Sequence, residues 1–343
     1  MIQLPEYYFH KFDFEAGLAN FKLMSGLTFK ESTFLDSRIL TASNRQWTVP
    51  ITDLVRQWKD FKTPTRKARF IFHTAYCCST LLSRVLDQDG LTLVYREPVT
   101  LHQLAVIQRR KNVIPSTLLG YQDDLFDLVA GMLSKTWATN EVPIIKATDS
   151  CNNIIDRLLS HQPRSTAILL YSQLEDFLVS NLKSPGRRNF LGKLVKRAQY
   201  DAAGIQPLAK IDVSSLDTAC AAAYVWIVQM HLYRNIMATD GDACMPLDAE
   251  DLLRDPLTVL SSACSHLDLG ISEKDIIRTL DSPVWSRHAK DNSIKKYSNI
   301  MRQEEKKALS SALGEEISRA IAWVNSFPGW SEHVDFNRDL SSD

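Results

Sequence analysis

No apolar run in this 343-residue chain reaches the roughly 20 residues that a membrane-spanning helix needs. The opening "MIQLPEYYFHKFDFEAG" mixes charge and aromatics early, which a signal peptide's apolar core does not do. Net charge is lacking too, since forty basic and forty acidic residues balance. That balance argues against a dedicated nucleic-acid binder, although it leaves room for a local basic cleft. There is no CxxC pair and no spacing suited to zinc. Cys77 and Cys78 are neighbours, while Cys151, Cys220, Cys244 and Cys264 are scattered. The expectation is a cytosolic protein with reduced cysteines and no bound metal, rather than a disulfide framework. Internal repeats and low-complexity linkers are absent as well.

What is there reads as a globular chain. Hydrophobic residues make up 45% and charged residues 23%, and the length suits one large α/β domain or two ordinary ones. Residues 1 to about 65 read as an N-terminal extension or small subdomain, with hairpin-like alternation in "LTFKESTFLDSRILTASNRQWTVP". The basic, proline-containing "KDFKTPTRKAR" then serves as a surface connection into a main domain over 66–343.

From residue 69 strands and helices alternate. "RFIFH", "LTLVYRE", "VPIIKAT" and "STAILLYS" are short strand-like runs, separated by helical patterns such as "STLLSRVLD", "VTLHQLAVIQRR", "DLFDLVAGMLSKTW" and "NNIIDRLLSH". This order predicts βαβ units and a parallel sheet flanked by helices. After about residue 186 the chain is mostly helical. "LDTACAAAYVWIVQMHLYRNIMAT" is apolar on much of its circumference, "CMPLD" is a last short strand, and residues 304–330 read as an amphipathic helix.

The turn "TAYCC" between "RFIFH" and "STLLSRVLD" has neither glycine nor proline. A loop between a parallel strand and its helix gathers backbone N–H groups and the positive end of the helix dipole, which suits an anion. Against the phosphate-loop pattern GxxxxGK followed by Ser or Thr, His73 takes the first glycine place, Cys78 the second, Ser79 the lysine and Thr80 the hydroxyl.

"AYCCSTLL" resembles the loop of sulfotransferases, which reads "PKSGTT" or "PRSGTT" on a P-loop nucleoside triphosphate hydrolase-like α/β fold. Ser79 and Thr80 replace the paired threonines, Tyr76 stands at the basic residue, and Cys78 stands at the glycine. The resemblance implies that Thr74, Ala75, Tyr76, Cys77, Cys78, Ser79 and Thr80 cradle the phosphosulfate end of 3'-phosphoadenosine 5'-phosphosulfate. In "VYREPV" it implies Glu97 as the base that takes the proton of a small-molecule acceptor, with Arg96 beside it as a cation. Lys146, ending "VPIIK", would face the cleft near that acceptor.

The run "IIKATDSCNNIIDRLLSHQPRSTAILLYSQLEDFLVSNLKS" resembles the family's strand, helix, strand and "R-D-P-R-D-x-x-x-S". In that family the arginine and the serine eight residues on hold the donor's 3'-phosphate. Ser180 occupies the serine place and Ser172 the arginine place. "KSPGRRNFLGKLVKR" follows, and Lys183, Arg187 and Arg188 could supply charge from another position. "MPLDAEDLLRDPLTVL" resembles the family's "YEDL-x-x-DP", where Asp255 and Pro256 signal a helix start. "SRHAKDNSIKKYSN" resembles its basic closing segment, with Arg287, His288 and Lys290 as candidates. The resemblance spans roughly residues 67 to 300.

The function so implied is sulfonate transfer to a small-molecule hydroxyl or amine. Two alternatives stand beside it. One is a kinase or other phosphotransferase using ATP with Mg²⁺, for which Asp149 could serve the metal. The other is a non-catalytic member that keeps the fold and binds a different anion or a partner. Cys77 or Cys78 as a nucleophile, near His73, is a further reading. The acceptor pocket would draw on residues 100 to 140 and 200 to 240, and the oligomeric state is open.

Overall fold

The computed structural model describes residues 4–39, 46–60, 66–110, 114–160, 165–286 and 299–336. In chain order the elements are β1 (Tyr7–Asp13), β2 (Leu18–Leu23), α1 (Gly26–Glu31), β3 (Gln46–Pro50), α2 (Ile51–Asp60), β4 (Arg69–His73), α3 (Ser79–Val85), β5 (Thr92–Arg96), α4 (Val99–Arg109), α5 (Gln122–Met132) and β6 (Val142–Lys146). They continue with α6 (Ile155–Ser160), β7 (Thr166–Tyr171), α7 (Leu174–Leu182), α8 (Pro185–Asp201), α9 (Thr218–Asp240), β8 (Cys244–Asp248), α10 (Ala249–Arg254), α11 (Pro256–Leu267) and α12 (Glu273–Leu280). The last three are α13 (Pro283–Ser286), α14 (Asn299–Ala312) and α15 (Gly314–Asn325).

The expected α/β class is the observed one. Five strands form a sheet in the order β5-β6-β4-β7-β8. The order departs from chain order because helical crossovers carry the chain between parallel neighbours. β4 and β5 both pair parallel with β6, where Arg69 faces Ile144 and Arg96 faces Lys146. Every residue of β4 and β5 is buried, as expected of strands covered on both faces.

The chain packs as two compact units. One holds the residues up to Phe72, Ser79–Ile168 and Leu257–Trp285; the other holds His73–Cys78, Leu169–Pro256 and the described residues from Ser286 onward.

In the first unit, β1, β2 and β3 make a separate antiparallel sheet. The hairpin lies at residues 7–23, earlier than the alternation in 27–50 suggests. Residues 26–31 are a helix instead, because the Ser25 side chain caps it by accepting the Thr28 N–H at 3.0 Å. This small sheet is tied to β5 by aromatic contacts: Tyr8, Phe29 and Tyr95 pack with centroids 5.3–6.3 Å apart. The Lys135 ammonium donates to the carbonyls of Leu4 and Tyr7 at 3.0 and 2.9 Å. A bulge between Phe9 and Lys11 falls at His10, which is buried.

In the second unit, α9 is buried on nearly every face and packs with α7, α8 and α15. Its Asp217 cap accepts the Cys220 N–H at 2.8 Å. The tail expected as one helix is two, α14 and α15, parted at Leu313. The path from β4 into α3 positions the candidate loop.

Candidate functional site

The loop leaves a fully buried strand and turns without glycine. Tyr76 and Cys78 nonetheless adopt left-handed backbone, with φ of 65° and 61°. Left-handed residues alternating with ordinary ones turn successive N–H groups toward one concave side, an arrangement suited to anions. For residues with a Cβ this conformation is sterically costly, and such outliers concentrate where structure serves function. Cys78 therefore holds the glycine position in a glycine's conformation.

Buried polar contacts hold the turn. The Thr74 N–H donates to the Leu170 carbonyl at 3.0 Å. The Cys77 thiol donates to the Thr74 carbonyl at 2.9 Å, and His73 Nδ1 shares that carbonyl at 2.8 Å. Cys77 is thus a buried brace. Two hydroxyls are treated differently: Thr74 Oγ1 and Thr80 Oγ1 are buried with no hydrogen-bond partner. Ser79 and Thr80 open α3, and both are buried. Ala75, Tyr76 and Cys78 are half-buried.

The basic segment after α7 reaches this loop at Arg187. The guanidinium carbon of Arg187 lies 4.0 Å from the Tyr76 ring centroid, and Nη1 donates to the Ser180 carbonyl at 2.5 Å. Arg188 points elsewhere, making a two-pronged pair with Glu316 at 2.8 and 3.0 Å and donating to the Leu182 carbonyl at 2.8 Å. Lys183 pairs with Glu305 at 2.8 Å. Ser180 lies in the last turn of α7. Ser172 is buried, and its carbonyl accepts the Trp226 indole N–H at 2.9 Å.

In the first unit the structure brings Glu97 and Lys146 together as an ion pair. The Glu97 N–H extends the β5–β6 ladder by donating to the Lys146 carbonyl at 2.7 Å. Its φ of 54° is left-handed, which swings the carboxylate off the strand line and onto the lysine. The Lys146 side chain is 1% exposed and that of Glu97 19%. The ammonium also sits 5.4 Å from the Phe34 ring centroid. Arg96 has a structural task instead: buried, it donates to the carbonyls of Phe29 and Ser32 at 3.1 and 3.2 Å and pairs with Asp87.

Arg302 and Glu250 do not stand out in the sequence as site residues. Arg302 on α14 pairs with Glu250 on α10, with Nη1 3.3 Å from Oε2 and a second, closer contact. Burial works against the Arg302 charge, but the Glu250 hydrogen bond and the nearby Cys78, Glu250 and Asp176 outweigh it and hold the guanidinium above its usual range. One turn on, Lys306 pairs with Asp176 of α7. The i, i+4 spacing of Arg302 and Lys306 is the one available signal, and it equally describes a solvated helix face. Arg287, His288 and Lys290 lie outside the described residues. Among the described residues no group of three or more His, Cys, Asp or Glu could hold a metal ion, and no helix is long and apolar enough to cross a membrane.

No protein-family model matches this chain, and no curated protein matches it. Among solved structures it is similar to a sulfotransferase domain from the curacin biosynthetic pathway, at 15% identity and a TM-score of 0.46, covering 73% of this chain and 99% of that one. A sulfotransferase from Mycobacterium tuberculosis H37Rv shares 12% identity at a TM-score of 0.42, covering 77% and 81%. The sulfotransferase domain of the Synechococcus PCC 7002 olefin synthase shares 13% at 0.39, covering 74% and 96%.

Proposed function

We propose that the chain is a sulfotransferase-like enzyme that moves a sulfonate from 3'-phosphoadenosine 5'-phosphosulfate to a small-molecule hydroxyl or amine. The observation that carries the reading is the 74–78 loop. It follows a buried parallel strand and adopts left-handed backbone at Tyr76 and Cys78 despite their side chains. It also keeps the Thr74 hydroxyl buried without a partner. Buried polar groups are ordinarily satisfied, so an orphan beside a concave run of amides fits an anionic group.

The donor, when bound, supplies a sulfonate already activated on a phosphate. Thr74 to Cys78, with Ser79 and Thr80, would hold that phosphosulfate end. Arg187 stacks on Tyr76, which stands where the family's loop carries its basic residue, and would supply charge there. Ser172 and Ser180 are assigned to the donor by resemblance alone. Arg188 is a candidate charge from the basic segment after α7, and would have to leave Glu316 to serve the donor. Glu97 would take the acceptor's proton, with Lys146 steadying the carboxylate until then.

Calorimetric titration with 3'-phosphoadenosine 5'-phosphate, beside ATP plus Mg²⁺, tests this. The expected result is binding of the bisphosphate, weakened by Thr80→Val and by Arg187→Ala. Binding of ATP with Mg²⁺ alone would replace the reading with a phosphotransferase. Binding of neither would leave a fold that has given up its donor.

A further inference from the structure

Four charged side chains crowd one place in the second unit: Arg302, Glu250, Lys306 and Asp176 form two ion pairs with side-chain exposures of 22%, 26%, 32% and 12%. The arrangement reads first as a staple that fixes α14 to α7 and α10. One feature goes beyond a staple. Asp176 lies in the first turn of α7, directly after β7, whose Leu170 carbonyl accepts the Thr74 N–H at 3.0 Å. Glu250 lies on α10, directly after the neighbouring strand β8. The two pairs thus stand by the 74–78 loop, which carries no cation of its own.

A guanidinium presents the same flat fork to a carboxylate and to a phosphate or sulfonate, and either can be held by two parallel hydrogen bonds. A largely buried arginine with no counter-ion is expensive. A carboxylate that is itself partly exposed can therefore keep such an arginine in place and later yield it to a more highly charged group. Glu250 is the more exposed acid of the two pairs, while Asp176, deeper, stays with Lys306.

We infer that Glu250 is an exchangeable counter-ion, which keeps Arg302 beside the 74–78 loop until the phosphate or sulfonate group of a ligand takes its place on the guanidinium. This rests on the reading that the loop binds an anion, and it names the second cation of that site. Arg187 serves one side through Tyr76, and Arg302 serves the Cys78 side. No bond is made or broken in the exchange; one ion pair replaces another.

The test is calorimetry on the full chain with two probes, 3'-phosphoadenosine 5'-phosphate and inorganic pyrophosphate. Glu250→Gln removes the competitor without changing shape, so affinity for a probe should rise about threefold to tenfold, as a tenfold change reflects ~1.4 kcal/mol. Arg302→Gln should weaken it by about tenfold or more, and the double variant should bind as weakly as Arg302→Gln alone. Lys306→Gln, the control, should change affinity much less than Arg302→Gln. If Glu250→Gln binds with unchanged or lower affinity, the pair is only a staple and the inference falls.

Should Glu250→Gln not fold, the arginine Nε–H resonances of the wild-type chain give the same answer. The signal absent in Arg302→Lys should shift on adding pyrophosphate, and a signal that stays still overturns the exchange. Pyrophosphate binding with this pattern, without binding of the bisphosphate, would keep the exchange and sink the donor assignment. If neither probe binds wild type or Glu250→Gln, both ideas are wrong.

Discussion

Arg187 lies flat against Tyr76, 4.0 Å from guanidinium carbon to ring centroid, and reaches past it to the Ser180 carbonyl. The stack ties the start of α8 to the candidate loop at Tyr76. Such contacts are worth about 0.5–1 kcal/mol when exposed and more when water is excluded. Arg187→Ala is expected to weaken binding of 3'-phosphoadenosine 5'-phosphate by about tenfold. Arg187→Lys should recover only part of that, because an ammonium neither stacks nor forks. Equal affinity of Arg187→Ala and wild type would remove this residue from the site.

Cys78 bears on the backbone of the loop. A left-handed residue with a side chain costs roughly 1–2 kcal/mol, and glycine gives back about 0.5–1 kcal/mol through its freedom in the unfolded chain. Cys78→Gly should therefore be as stable as wild type or up to ~1 kcal/mol more stable, while Cys78→Val, branched at Cβ, should lose roughly 1–3 kcal/mol. Urea denaturation at neutral pH separates the two. A valine variant as stable as the cysteine would mean that the turn is not left-handed at this position.

Glu97 and Lys146 can be separated by a double-mutant cycle. Breaking a buried pair from one side strands the other charge and costs about 3–5 kcal/mol, whereas replacing both partners is often far cheaper. Since Lys146 is the more buried partner, Glu97→Gln should destabilise strongly, and adding Lys146→Met should restore most of the loss. Both variants should lack sulfonate transfer if Glu97 is the base. Stability that recovers in the double variant together with activity would leave the pair structural and Glu97 without its proposed role.

Much of this architecture is legible from residue patterns. β4, β5, β6 and β7 are short apolar runs set between helical periodicities, and burial of parallel strands on both faces produces that signature. Pro256 does open α11, as the sequence suggests. The candidate loop is readable only through its neighbours, because Tyr76 and Cys78 give no hint that their backbone is left-handed. The pairing of Glu97 with Lys146 depends on strand order, and β5 lies beside β6 through a crossover that spacing does not reveal. Arg302 and Glu250 look like ordinary surface charges until helices far apart in sequence bring them together.

His10 makes stability depend on acidity. Burial at the bulge, then the charges of Lys22 and Lys11, lower its imidazole pKa to about 4 from the usual 6.5, with Asp36 opposing. Between those values the unfolded chain binds the proton and the folded chain does not. Stability from this group is therefore fully present above pH 6.5 and is lost as pH falls toward 4. Urea midpoints measured from pH 7.5 down to about 4.5 should fall, and His10→Gln should flatten that part of the profile. An unchanged slope in His10→Gln would assign the acid sensitivity to other groups.

Gly131 on α5 is required by Trp58 on α2. A Cβ built at this glycine would lie 2.0 Å from Trp58 Cζ2 and 2.4 Å from Cη2, both ring atoms without freedom to fold away. Helix propensity favours alanine here by about 1 kcal/mol, but overpacking a close contact costs roughly 1–3 kcal/mol or more. At 2.0 Å the clash should win, so Gly131→Ala is expected to be less stable than wild type by ~2 kcal/mol. Trimming the ring reverses the sign: in a Trp58→Leu background the same Gly131→Ala change should be neutral or stabilising. The two measurements form a cycle readable by thermal denaturation, and a Gly131→Ala penalty that persists without the tryptophan would show that the contact is not its cause.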